Sequence, residues 1–135
     1  MIPGVAIERV ETLDPTALAR CDFVYPFDSA FARPRAGRML AVLRVDGRVA
    51  GYLACQRDGD AGEVRRLEID RGHRGQGLGR RLLDEARRWA AELGLSALVL
   101  ETLADNPAAG RFFGRNGFVQ RDAANALHWQ LPLDG

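Results

Sequence analysis

Apolar residues recur along this chain with two periods, near two in some stretches and near the helical 3.6 in others. Val5 to Val10 predicts a short first strand. Asp14-Pro15 is an N-cap followed by proline at the first helical position, so Thr16 to Cys21 is expected to be a short helix. Arg38 to Val45 and Arg48 to Gln56 read as strands joined by Asp46-Gly47, a strong hairpin signal. A second turn, Asp58-Gly59-Asp60, leads to a strand from Glu63 to Asp70. The period then becomes helical. Leu78, Leu82, Leu83, Ala86, Trp89, Ala90 and Leu93 share one face, and Gly94 supplies the stop. Ala97 to Thr102 reads as a buried strand. Asn106-Pro107 opens another helix, with Ala109, Phe112 and Phe113 inward and Gly117 at its end. Phe118 to Asp122 and Ala126 to Leu131 are closing strands. The order β-α-β-β-β-α-β-α-β-β predicts one α/β (α+β) domain over residues 1–135, a mixed sheet with helices on both faces.

Between Asp22 and Gly37 the pattern is irregular, and the segment is read as an ordered loop with one helical turn. Its Phe23, Phe27 and Phe31, spaced four apart, are expected to plug the core; Tyr25 lies among them. Asp22 and Asp28 would suit a cationic ligand with an apolar body.

The chemistry concentrates in Arg74-Gly75-Gln76-Gly77-Leu78-Gly79. Alternating glycines at a strand-to-helix turn expose backbone N–H groups at a helix N-terminus, which is a preformed anion site. A P-loop would need Lys and Ser or Thr after the last glycine, and Arg80-Arg81 follow instead. A dinucleotide fingerprint would place its glycines after the first strand, with several βα units still to come. Glu101, about 20 residues on, would suit a ribose-binding acid in that reading. However, too little chain follows the turn, and the third glycine is wrongly spaced.

Arg74-x-x-Gly77-x-Gly79 resembles the acetyl-CoA pyrophosphate motif of the GNAT N-acetyltransferase superfamily. Leu100-Glu101, Asn106, Ala109, Phe113 and Gly117-Phe118 resemble that family's second conserved stretch in order and spacing. The likeness is clear from about Glu63 to Val119. The C-terminal half is also similar to streptothricin-type antibiotic acetyltransferases. The resemblance implies a splayed mixed sheet and acetyl-CoA as co-substrate. It implies that Arg74, Gly75, Gln76, Gly77, Leu78, Gly79 and Arg80 bind the pyrophosphate, Arg74 chiefly through its backbone. Leu67, Glu68 and Ile69 would pair with the pantetheine arm, and Asn106 and Phe113 would lie beside it. Arg81 is read as surface.

The implied reaction is acetyl transfer to a primary amine of a small molecule or peptide by direct attack in a ternary complex. An alkylamine has a pKa of roughly 10, so a base or a dry site must take its proton. Glu101, at a strand end beside the implied thioester, and Glu68, on the neighbouring strand, are the candidate catalytic residues; Glu63 is a third possibility. Phe113 departs from the family, where many members carry a tyrosine that protonates the leaving thiolate. That departure leaves open a CoA-binding sensor or regulator with little turnover.

Bulk properties narrow the classes. Net charge is +1 over 135 residues, so neither nucleic acid nor a membrane surface is an expected partner. No apolar run approaches about 18 residues and no leader is apparent, so a cytoplasmic protein is expected. All 19 basic residues are Arg, which with abundant Ala and Gly suggests a GC-rich bacterial genome. Cys21 and Cys55 have no metal or redox spacing and are read as structural and unbridged, with no metal site. His73 and His128 are given no role. The closing strands leave room for a homodimer.

Overall fold

The structure, a computed structural model, describes residues 4–122 and 125–133; of the side chains at 122, 125 and 126 nothing is said. The strands are β1 (Val5–Val10), β2 (Arg38–Val45), β3 (Arg48–Asp58), β4 (Ala61–Ile69), β5 (Ala97–Glu101), β6 (Val119–Asp122) and β7 (Asn125–Pro132). The helices are α1 (Pro15–Ala19), α2 (Leu78–Glu92) and α3 (Pro107–Arg115), with 3-10 turns at Ser29–Phe31 and Arg71–His73. The strands form one sheet in the order β1-β2-β3-β4-β5-β7-β6. The β4–β5 pair is parallel, and the other neighbours are antiparallel. A doubly wound dinucleotide fold would need a parallel sheet throughout its nucleotide-binding half.

Local chemistry explains the boundaries. At the β2–β3 hairpin both Asp46 (φ 50°) and Gly47 (φ 82°) are left-handed, the geometry a two-residue turn needs to match strand twist. Asp14 caps α1 by accepting the Thr16 N–H at 3.0 Å. That helix is shorter than predicted. Arg20 and Cys21 turn their N–H groups to the carbonyls of Ala17 and Leu18, tightening the last turn and ending the helix at Ala19. Strands β3 and β4 run closer to their turn than predicted, since Asp58 pairs directly with Ala61 across Gly59-Asp60.

The sheet carries a core on each face. Ala41, Leu43, Leu53 and Cys55 pack under Leu78, Leu82, Leu83, Ala86, Trp89 and Ala90 of α2, joined by Phe113 and Phe118. On the opposite face Leu40, Val42, Tyr52 and Ala54 meet Leu13, Leu18, Phe23 and Phe31. The aromatic loop is therefore core, as its spacing predicts; Phe23 and Phe27 both stack on Tyr52. The prediction for Leu93 fails. It is 43% exposed at the end of α2, and Leu95 takes the buried place instead. Glu85 is buried on the apolar face of α2, held by Arg9 at 2.6 Å and Arg88 at 2.9 Å. Both cysteines are free thiols, and burial pushes the Cys55 thiol well up. No described helix is long and apolar enough to cross a membrane.

Candidate active site

Strands β4 and β5 pair only from Ala61 opposite Ala97 to Glu63 opposite Val99. Beyond that they part. The divergence begins at a bulge in β4: Cys55 pairs with Val64 and Ala54 with Arg66, so Arg65 has no partner across the ladder. An extra residue on one strand bends it and increases its twist. The result is a cleft of about 1060 Å³ between the strands, walled by β4 from Glu63 to Ile69, the glycine turn, the end of β5 and one side of α3 from Ala108 to its C-cap Asn116.

At one end of the cleft stands the N-terminus of α2. Its cap, Gly77, is left-handed at φ 78° and has no side chain to satisfy the helix, and no acid lies in the first turn. Arg81 is the first residue whose N–H reaches back to a helix carbonyl, Gly77 O at 3.3 Å. The N–H groups of Leu78, Gly79 and Arg80 have no helix carbonyl to donate to, an arrangement that suits an anion. The glycines serve different ends. A methyl on Gly75 or Gly77 would meet nothing within 4 Å, so their left-handed backbone is what excludes other residues. A methyl on Gly79 would lie 3.2 Å from the Phe112 ring, so Gly79 lets α2 and α3 approach. Arg74 folds back, donating Nε–H to Ile69 O at 3.0 Å and an Nη2 proton to Asp22 O at 3.2 Å. Its side chain pins the aromatic loop to the turn. Arg80 lines the cleft; Gln76 and Arg81 are exposed and do not.

Leu67, Glu68 and Ile69 form the β4 wall, Asn106 and Phe113 the α3 wall, and Glu63 and Glu101 stand where the strands diverge. Asn106 caps α3 with its side-chain oxygen, which accepts the Ala109 N–H at 3.3 Å. Among the described residues its amide nitrogen is uncommitted. Phe113 is nearly buried and stacks edge-on against Phe112 and Phe118. Glu68 is only 8% exposed. Burial raises its pKa above the usual carboxylate range, although N–H groups of Tyr25 and Val24 and the nearby Arg74 and Arg66 oppose the shift. Glu101 is mostly solvent-facing, and His128 Nε2 lies 3.5 Å from it. Glu63 is paired with Arg65 at 3.2 Å.

The sequence does not locate several residues that the structure brings to the site. Tyr25 lines the cleft from the aromatic loop and donates its hydroxyl to Asp105 at 3.4 Å. His128, given no role, is brought beside Glu101 by the β5–β7 register, and His73 lines the cleft while contacting Asp70 at 3.3 Å. Nothing local in the sequence signals the Tyr25–Asp105 and His128–Glu101 pairings, whereas His73 and Asp70 are three residues apart. Asp22 and Asp28 do not line the cleft and have protein partners. Asp28 caps the Ser29–Phe31 turn, and Asp22 pairs with Arg71 at 3.0 Å.

The model of the Acetyltransferase (GNAT) family matches residues 6–118 of this sequence. The chain belongs to the GNAT family. Within that family it is 37% identical over 82 residues to an IAA acetyltransferase of Azospirillum brasilense, a match covering 59% of this chain. It is 30% identical over 110 residues to the streptothricin acetyltransferase of Streptomyces lavendulae, covering 80% of this chain. The chain spans about half the length of these curated relatives, 54% and 58%. In fold it is similar to the ribosomal-protein-S18-alanine N-acetyltransferase of Escherichia coli, with TM-score 0.79, 21% identity, and 97% and 96% of the two chains covered. It is also similar to the PaiA N-acetyltransferase of Thermoplasma acidophilum, a structure in complex with coenzyme A. There the TM-score is 0.67, the identity 18%, and the coverage 72% of this chain and 62% of that one. The splayed β4–β5 pair and the uncapped α2 are thus features of a GNAT chain.

Proposed function

We propose that this chain is an acetyl-CoA-dependent N-acetyltransferase acting on a primary amine by direct attack in a ternary complex. The observation that carries the reading is the continuity of one cleft. An uncapped helix N-terminus with three free N–H groups leads along an unpaired strand edge to two carboxylates. These features suit a pyrophosphate, an extended amide-bearing arm and a protonated amine, in that order. Leu78, Gly79 and Arg80 N–H groups would hold the pyrophosphate, with the Arg80 side chain beside it. The β4 edge at Leu67–Ile69 would hydrogen-bond the arm, and the Asn106 amide would support it. Acetyl-CoA supplies an activated thioester, a carbonyl carbon open to the amine and a thiolate able to leave.

Glu101, oriented by the neighbouring His128, takes one proton from the bound ammonium, directly or through water, which frees the nitrogen lone pair. As the C–N bond then forms and the C–S bond breaks, the second proton leaves the nitrogen and the departing thiolate ends as the free thiol. Glu68, poorly hydrated, favours a cation beside it and helps draw the amine into the cleft. Phe113 has no proton to give, but a thiol with a pKa near that of cysteine, about 8.5, is a tolerable leaving group. The test is thiol release from acetyl-CoA over a panel of primary amines, with Glu101→Gln and Glu68→Gln measured alongside. Amine-dependent release that falls in both variants supports the reading. Wild-type rates in both would remove the assignment of these carboxylates.

A further inference from the structure

Phe31 is ringed by guanidinium groups: Arg66 lies 4.8 Å, Arg38 5.4 Å and Arg65 5.9 Å from its ring centroid. Adjacent strand residues normally face opposite sides of a sheet. Arg65 and Arg66 reach one ring because the bulge at Arg65 breaks that alternation. Each ring contact holds its arginine in place, but a ring does not neutralise charge. The available counter-charges are few. Arg65 has Glu63 at 3.2 Å. Arg38 donates to the carbonyls of Ala30 and Arg33. Arg66 donates to the Arg65 carbonyl at 2.8 Å, has no carboxylate partner among the described residues, and buries its Nε with no acceptor. A buried guanidinium N–H without a partner is costly and is normally found paired.

Arg65 and Arg66 line the cleft together with Glu68. Arg66 and Glu68 pair with Ala54 and Tyr52, both in the core under the aromatic loop, so the two side chains share the loop-facing side of β4. The pyrophosphate end of the cleft begins at Arg74, beyond the far end of that strand.

We propose that Arg66, assisted by Arg65, binds an anionic group of the amine acceptor, so that the acceptor is an aminocarboxylate and not a simple amine. The proposal rests on the reading of this cleft as an acetyl-transfer site and names its substrate class. Two residues along one strand face span roughly 6–7 Å, so an amine near Glu68 and a carboxylate on Arg66 match the reach of an ω-amino acid. Guanidinium and carboxylate pair through two parallel N–H···O bonds, and a small turn of the Arg66 side chain toward the cleft would bring its Nε–H into such a pair.

The experiment compares kcat/KM for 5-aminopentanoate against pentylamine, and for lysine against cadaverine, in the wild type, Arg66→Gln, Arg66→Lys and Arg65→Gln. The expected result is a carboxylate preference of at least about tenfold in the wild type. It should collapse in Arg66→Gln, be partly kept in Arg66→Lys and fall severalfold in Arg65→Gln. No preference in the wild type, or one unchanged in Arg66→Gln, overturns the proposal. So does an Arg66→Gln effect confined to the KM of acetyl-CoA and absent with its 3′-dephospho form, which would assign the anion to the co-substrate. Arg65→Gln, on the exposed bulge, keeps the question open to refutation if Arg66→Gln fails to fold. A second readout separates this proposal from the acetyl-transfer reading. N-acetyl-5-aminopentanoate should raise the melting temperature of the wild type more than N-pentylacetamide does, and the difference should vanish in Arg66→Gln and shrink in Arg66→Lys and Arg65→Gln. That binding result stands or falls even if no amine is acetylated.

Discussion

Glu63 lies opposite Val99, and it is the last residue of β4 that pairs with β5. Two residues later the Arg65 bulge turns β4 away, and the opened gap becomes the cleft on which the functional reading depends. A sheet interrupted in this way leaves backbone N–H and C=O groups on β4 without strand partners, so the same deformation that makes room for a ligand also supplies its hydrogen bonds.

Two glycines in the turn should fail for different reasons. Gly77→Ala forces a side chain into a left-handed position, at a cost of about 1–2 kcal/mol, and misaims the free N–H groups without touching any neighbour. Gly79→Val drives a side chain into the Phe112 ring and should cost about 1–3 kcal/mol through overpacking. Denaturant unfolding with and without coenzyme A checks this: both variants should be less stable, and both should lose most of the stabilisation by ligand. Either one retaining wild-type affinity would contradict the assignment of the turn.

The raised pKa of Glu68 makes two linked predictions. The folded protein holds the Glu68 proton to a higher pH than the unfolded chain does. This group's contribution to stability is therefore full below its unfolded pKa, about 4.3, and is lost as pH rises through the folded value. Melting curves of the wild type and Glu68→Gln across pH 3–8 (roughly the range spanning that loss) should converge toward acid and separate toward neutral pH, with Gln the more stable there. The acid limb of kcat/KM should lie above the ordinary glutamate range and move in this variant if Glu68 carries charge to the amine.

Tyr52 is fully buried and its hydroxyl has no partner among the described residues. Burial, with the charge of Glu68 nearby, also holds that phenol far above its usual pKa. Tyr52→Phe removes an unsatisfied polar atom while keeping the ring against Phe23 and Phe27. It should be neutral or stabilising by up to about 1–3 kcal/mol, measured by denaturant unfolding. A loss of more than about 1 kcal/mol would mean that the hydroxyl is hydrogen-bonded in solution.

Phe113→Tyr restores a proton donor on the cleft wall. Turnover should rise by roughly tenfold or more, since a positioned acid commonly contributes that much. Equal turnover would mean that protonation of the thiolate does not limit the rate, or that another hydroxyl on the cleft wall, such as that of Tyr25, already serves.

The parts of this fold that are local in the chain could be read from the chain. Asp46-Gly47 specified its hairpin because both positions need φ above zero, and the α2 stripe specified a buried face because Leu78, Leu82, Leu83, Ala86, Trp89 and Ala90 recur at helical spacing. The glycine turn at one end of the cleft was legible for the same reason: Gly75 and Gly77 act through their own left-handed backbone and Gly79 through its lack of a side chain. The other end was not. Glu68 owes its environment to N–H groups of Val24 and Tyr25, more than 40 residues away. His128 meets Glu101 only through strand register. The Arg65 bulge has no sequence signature, yet it decides where Arg65 and Arg66 point. Leu93 was misread because helical spacing continues one residue past the point where α2 ends.

The central claim is that the cleft binds acetyl-CoA, and thermal unfolding with equal concentrations of acetyl-CoA, coenzyme A, NAD and ATP tests it most directly. Ligand at about a hundred times its dissociation constant adds roughly 2.7 kcal/mol, which in a chain of this size raises the melting temperature by roughly 10 °C. The account predicts that rise with acetyl-CoA and coenzyme A and none of comparable size with NAD or ATP. No rise with either CoA form, or a rise with NAD alone, would contradict it.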